Sequence, residues 1–250
     1  ILFRLVGSEM CIRDSLLLGS FFASLSAALG GSTFVFTRFV IDTIDPFTLS
    51  FVRYGFTGLI LFLISISIFL QKKFEYKDLL PMSFLGLAMV CIFPNFMALG
   101  LEHTTAARAG LLYATMPLCT IIIAYFFKIE QITINKSIAV LLAIIGVSFC
   151  ISEKVDNNFS NTLRGDFLMM IGVLSASCFT VFSGKFLKKY GNVPVMIYVI
   201  FIGSLCNFFL SLTLGNPIQS LVKINNFELL ALIMLILPGG VLMMYCWGKA

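Results

Sequence analysis

Charged residues make up only 12% of this 250-residue chain, about half the share of a soluble domain. A globule of this length has room for a core but still needs a polar surface. With 59% hydrophobic residues and a mean hydropathy of +1.02, too little polar material is present to make one. The surface must face lipid. Strict polar–apolar alternation is also missing, and the apolar runs are long and continuous, which excludes a transmembrane β-barrel. Helices remain, because they satisfy their own backbone hydrogen bonds inside a bilayer. The expected fold class is an all-α membrane protein, a polytopic helical bundle.

Other absences narrow the function. His103 is the only histidine, and it falls in a loop. The seven cysteines (Cys11, Cys91, Cys119, Cys150, Cys178, Cys206 and Cys246) are scattered, with no Cys-x-x-Cys pair. Neither a metal site nor a disulfide framework is indicated, and no cofactor is implied. No glycine-rich phosphate loop, no Ser/His/Asp set and no mid-span pair of carboxylates is present. The net charge of +5 sits in short loops without interleaved aromatics, so nucleic acid is not an expected partner.

Residues 1–15 crowd Arg4, Glu9, Arg13 and Asp14 against an apolar run. The string Val6 to Asp14 resembles a translated sequencing adapter, and the segment is set aside as non-native. A native cytoplasmic arm is the alternative.

Length and apolarity give eight spans, at about 16–38, 47–70, 79–101, 105–127, 134–152, 165–184, 194–214 and 227–248. The most polar connection, Ser152 to Asn161, marks a boundary between two halves. With the N-terminus in the cytoplasm, Lys72, Lys73, Lys77, Lys128, Lys136, Lys185, Lys188, Lys189 and Lys249 fall inside. Arg38, Arg108, Lys154, Arg164 and Lys223 fall outside. The excess of basic residues inside favours this orientation. The location is an integral, multi-pass one, the inner membrane if the source is bacterial.

The halves are weakly alike. Gly19 matches Gly165, Pro46 matches Pro194, and Ala98 matches Ala250. Phe34-Val-Phe-Thr-Arg38 is similar to Phe179-Thr-Val-Phe-Ser-Gly-Lys185. A first unit over 16–152 holds five helices, an odd number, so a second copy over 165–250 enters the membrane from the opposite side. That is the inverted repeat of many secondary transporters. The second copy holds three helices, so a fragment of a ten-helix protein is expected.

Three stretches carry a family resemblance. Pro46 is followed seven residues on by Arg53 and Tyr54; Ala98 to Ala106 runs on through Ala109 to Pro117; Glu130 precedes Ile132-Thr133 and the Gly146-Val147 helix. In this order they resemble the EamA-type permeases of the drug/metabolite transporter superfamily, over about residues 16–250. The first helix departs from the family, reading Gly30-Gly-Ser-Thr-Phe34 where a tryptophan-containing string is common. The resemblance implies a permease for a small organic substrate.

Polar groups inside spans are costly and usually face a cavity or a neighbouring helix. Pro94 frees a carbonyl near Val90, and Asn95 beside it reads equally as a cavity residue or as an interhelical hydrogen-bond partner. Tyr113 and Thr115, next to Pro117, and Ser32, Thr33 and Thr180 are further candidate substrate contacts. A packed ring, or hydroxyls bonded back to their own helices, are the alternatives. Gly86 aligns with Pro238, Gly239 and Gly240, and interruptions at matching points of two halves point to a transport site; close helix packing competes as an explanation. Arg53 either snorkels or meets an anionic group. Glu130 falls in a loop, where a helix-end or ion-pair role fits. Trp247 reads as an interface anchor.

The expected function is a secondary transporter exporting a small organic metabolite or drug. A lipid-modifying membrane enzyme and a non-transporting sensor or assembly subunit are the alternatives. The expected partners are the substrate and the bilayer, with room for a homo-oligomer.

Overall fold

The computed structural model describes residues 2–129 and 159–249, with a few helical positions between 138 and 149. Side chains are described over 18–129 and 162–247, except at 221. All secondary structure among the described residues is helical. In chain order the elements are α1 (Leu2–Val40), α2 (Pro46–Leu70), α3 (Tyr76–Leu101), α4 (Ala106–Phe126), α5 (Phe159–Tyr190), α6 (Asn192–Thr213), α7 (Pro217–Val222) and α8 (Asn226–Trp247). All but α7 are long and apolar enough to cross a membrane. The chain is an integral, multi-pass membrane protein. The span expected at 134–152 lies outside the described residues, as does Glu130.

Local chemistry sets the helix starts. Asp45 caps α2 by accepting from the Thr48 N–H at 2.9 Å, with Pro46 at the first position. Thr105 caps α4 by accepting from Arg108 N. Asn225 and Glu228 form a reciprocal capping box on α8. Gly191, at φ +88°, turns the chain sharply between α5 and α6. The helix α7 lies where the sequence reads as loop; Pro217 opens it.

Two helices are not uniformly α. In α3, residues Tyr76–Gly86 and Phe93–Leu101 are α-helical, and Leu87–Ile92 form a π-helical turn between them. In α8, residues Asn226–Ile236 are α-helical and a second π-helical turn, Leu237–Leu242, precedes the α-helical end that begins at Met243. The two turns have equal length and stand 150 residues apart. The α4 helix breaks at Ala114 and Thr115, where Pro117 has no N–H for the Tyr113 carbonyl one turn back.

Packing crosses between the halves. The long contacts are α2 with α6, α3 with α5, and α1 with α8; α4 lies on α5, and α3 also packs on α6. Glycines permit the closest approaches. A Cβ added at Gly203 on α6 would stand 2.4 Å from Val90 Cβ on α3, and one at Gly100 would stand 3.0 Å from the carbonyl oxygen of Gly165. Three apolar clusters fill the interior, the largest joining Tyr54, Met82, Val90, Phe179, Val199 and Ile200. Large apolar side chains also point outward, with Ile64 70% and Phe209 58% exposed. That is the arrangement expected of a lipid-facing surface.

Charges gather at the two ends of the bundle. At one end Lys189 Nζ reaches Glu75 and Asp78, both at 2.7 Å, and the Tyr190 hydroxyl donates to Asp78 at 2.6 Å. At the other, Arg108 clasps Asp166, its Nε donating at 3.0 and 2.9 Å and a terminal N–H at 2.6 Å.

Candidate functional site

The π-turns lack part of their own hydrogen bonding, because a proline stands next to or within each. Pro94 has no N–H for the Val90 carbonyl one turn back. Asn207 of α6 takes that place, its Nδ2 donating to Val90 O at 2.8 Å. The Asn207 side-chain oxygen in turn accepts from Asn95 Nδ2 at 2.8 Å. Asn95 is 4% exposed, and its own side-chain oxygen has no partner among the described residues. Ser175 of α5 donates to Ala88 O of the same turn at 2.6 Å.

The turn in α8 is treated alike, from the other half. Arg53 of α2 donates to Gly239 O at 3.3 Å, and Thr57 donates to Ile236 O at 3.3 Å. Ser26 of α1 donates to Met243 O just beyond it, at 3.1 Å. Each interrupted helix therefore receives donors from two helices of the other half: α5 and α6 serve α3, while α1 and α2 serve α8. Gly239 and Gly240 make the α8 side of this contact: an added Cβ would stand 2.8 Å from Thr33 Cγ2 or 2.2 Å from Thr57 Oγ1.

Beside these turns lies an aromatic cluster. Tyr113 of α4 stacks on Phe93 of α3 at 5.6 Å between ring centroids and leans on Phe34 of α1 at 5.2 Å. Tyr113 also lies within electrostatic reach of Arg53 and Tyr54. Arg53 Cζ stands 5.1 Å from the Tyr54 ring centre.

Residues named from sequence are thus only partly gathered. Asn95 stands at the α3–α6 contact; Thr33 and Arg53 meet the α8 turn at Gly239, and Tyr113 packs on Phe34 and Phe93. The hydroxyls of Ser32, Thr33 and Thr180 donate to their own helices, to Leu29, Gly30 and Ala176 oxygens. Thr115 likewise donates to Leu112 O at 2.6 Å. Gly86 sits one residue before the α3 turn, where an added Cβ would stand 2.9 Å from Val199 O. Asn207, Thr57, Ser26 and Ser175 are absent from the sequence reading. Asn207 had a signal, being a lone amide in the apolar run 194–214.

A separate cleft of about 910 Å³ opens between α2, α6 and α8. Leu61, Ile64, Met196, Ile197, Leu242 and Pro238 contribute apolar lining, and Lys72, Tyr190 and Asn192 the polar margin. Of the residues named from sequence as site candidates, only Pro238 borders it.

Known proteins resemble this chain in sequence and fold. An uncharacterized transporter of Archaeoglobus fulgidus is 24% identical over 182 residues, covering 73% of this chain and 63% of that protein. The uncharacterized transporter YcxC of Bacillus subtilis is 23% identical over 168 residues, covering 67% and 54%. The chain thus spans between half and two-thirds of the length of these two relatives. A second Archaeoglobus fulgidus transporter, also uncharacterized, is 25% identical over 232 residues, covering 91% of this chain and 78% of its own. One crystal structure, 14% identical, superposes with a TM-score of 0.67 over 95% of this chain and 78% of that one, a likeness of fold alone. The sequence model of the EamA-like transporter family matches residues 17–152, over half of the chain, and the chain belongs to that family.

Proposed function

We propose that the chain is the core of a secondary transporter, a permease that exports a small organic metabolite or drug by alternating access. The observation that carries this reading is the pair of π-turns at Leu87–Ile92 and Leu237–Leu242, each braced by side chains from the other half. π-turns inside helices recur at functional sites. Matching interruptions in two halves are the usual mark of a transport site at the repeat interface.

In this reading residues 16–152 and 165–250 are two copies of one unit with opposite orientation. The exchanged packing, α1 on α8 and α3 on α5, supports it, because an axis in the membrane plane between α2 and α6 interchanges these pairs. Two equivalent arrangements of equal packing are what alternating access requires. Asn95, Tyr113, Thr115, Ser32, Thr33 and Thr180 are the proposed cavity residues; Pro94, Pro117, Gly86, Pro238, Gly239 and Gly240 are the proposed points of flexure. The basic end around Lys72 and Lys189 is placed in the cytoplasm.

The test is side-specific labelling. Asn95→Cys and Tyr113→Cys are made in a background without native cysteines and probed with an impermeant thiol reagent in oriented vesicles. Both positions are expected to react from one side or the other, with the favoured side changing when a transported solute is added. No reaction from either side sinks the cavity assignment. Lys72→Cys and Lys223→Cys, labelled from inside and outside respectively, check the orientation.

A further inference from the structure

Arg53 is a charge in the wrong place for a purely structural side chain. It lies seven residues into α2, about 10 Å along the helix at 1.5 Å per residue, and is 4% exposed. It does not snorkel to an interface. A guanidinium carries five N–H donors in a planar fork. Here one terminal N–H reaches a neutral carbonyl, Gly239 O, at 3.3 Å, and Nε is buried without a partner. No carboxylate among the described residues forms an ion pair with it. The acids nearest this end of α2 are engaged elsewhere: Asp45 holds Thr48, Asn216 and Ser220, and Glu228 holds Thr43 and its own cap.

A buried charge without a counter-ion is strongly unfavourable, and Arg is among the costliest residues at the centre of a membrane. The free edge of a guanidinium matches a carboxylate in bidentate geometry. The Tyr54 ring stands beside it, 5.1 Å from Cζ, and within electrostatic reach of both is Tyr113, whose hydroxyl makes no hydrogen bond to the described residues and whose ring stacks on Phe93 and leans on Phe34.

We infer that Arg53 is the anion-recognition element of the transport site, and that the substrate is an organic acid whose carboxylate pairs with this guanidinium while its aromatic body lies against Tyr113. The inference rests on the transporter reading above and names the substrate class of that site. The bound carboxylate supplies the missing counter-ion, so the occluded state is favourable when loaded and unfavourable when empty. A carrier of this kind exchanges one acid for another more readily than it returns empty.

The test uses three solutes of one shape and different charge: phenylacetate, phenylacetamide and phenethylamine. Each is titrated against the purified chain in detergent, with thermal unfolding as the readout, and indole-3-acetate serves as a second anion. Both anions are expected to raise the unfolding temperature in a saturable way, and the neutral and cationic solutes to leave it unchanged. Arg53→Gln keeps an amide N–H for Gly239 O but removes the charge, and is expected to abolish the shift. Arg53→Lys keeps charge without the fork, and is expected to need about tenfold more anion for the same shift. Neither anion stabilising the parent protein, phenylacetamide stabilising it equally, or Arg53→Gln retaining the shift overturns the inference. The transporter reading fails separately, on side-alternating labelling at Tyr113→Cys. If that labelling persists while charge selectivity is absent, the permease stands and its anion site does not.

Discussion

Asn207 Nδ2 donates to Val90 O at 2.8 Å across the α3–α6 contact, supplying the proton that Pro94 cannot. This single bond ties a sequence feature, a proline inside a span, to a tertiary partner more than one hundred residues away. It also implies that the two side chains are coupled. Asn207→Ala leaves Val90 O without a side-chain donor and Asn95 Nδ2 with only the weak Cys91 Sγ acceptor, and is expected to cost about 1–2 kcal/mol. In a Pro94→Ala background the helix recovers its own N–H for Val90 O, and the cost of Asn207→Ala should fall to about half. Thermal unfolding of the four proteins in detergent closes the cycle; equal costs in both backgrounds refute the coupling.

Glycine contacts give a contrast between two positions of the same residue type. A Cβ at Gly203 meets Val90 Cβ at 2.4 Å, whereas one at Gly31 has nothing within 4 Å. Gly203→Ala should therefore force α3 and α6 apart and lose about 1–3 kcal/mol. Gly31→Ala should be neutral or gain up to about 1 kcal/mol through helix propensity. Unfolding temperatures measured side by side decide the matter.

The Arg108–Asp166 pair joins α4 to α5, with the two side chains 16% and 15% exposed. Removing either partner is expected to cost about 1–3 kcal/mol, since the other is left part-buried and unpaired. The exchange Arg108→Asp with Asp166→Arg should recover a good part of that loss. A doubly exchanged protein no more stable than the single variants would show that the pair matters through shape alone.

Asp45 makes stability depend on acid. Burial pushes its carboxyl upward. The Thr48 and Asn216 N–H groups and the Thr48 and Ser220 hydroxyls outweigh this and hold it below the ordinary value of 3.8. A group whose pKa is lowered on folding contributes stability above its unfolded value and loses it as pH falls through the folded one. Asp45→Ala is therefore expected to cost about 1 kcal/mol at neutral pH, as a lost helix cap does. The difference from the parent protein should persist down to about the ordinary carboxylate value and vanish only below it. A gap that closes near neutral pH would contradict this assignment.

The spans were legible in the sequence because each needs only about 20 apolar residues, and the observed boundaries of α2, α6 and α8 lie within a few residues of those expected. The interruptions were legible too: Gly86 and the Pro238–Gly240 run stand at or beside the π-turns, and the freed Val90 carbonyl follows from Pro94 alone. What the sequence did not disclose is which side chain answers that carbonyl. Asn207, Ser175 and Thr57 are ordinary polar residues within apolar runs, and their roles depend on which helix faces which, a property of the assembled bundle. The hydroxyls of Ser32, Thr33, Thr115 and Thr180 show the same limit. Their own helices offer a carbonyl within reach, so a polar side chain in a span need not face a cavity. The short helix α7 escaped for another reason: six residues are too few to display a period.

The exchanged packing also governs how the protein is made. Ser26 finds its acceptor, Met243 O, 217 residues later in the chain. The polar residues of α1 and α2 therefore enter the membrane long before α8 leaves the ribosome. Until then Arg53 and Thr57 have no carbonyl of α8 to bond, although α2 can already dock on α6. Final docking is a late step that closes very long loops. Truncation just before Asn226 should therefore yield a chain in which α2 still docks on α6 and α3 on α5, while α1 loses its main partner and Arg53 its acceptor.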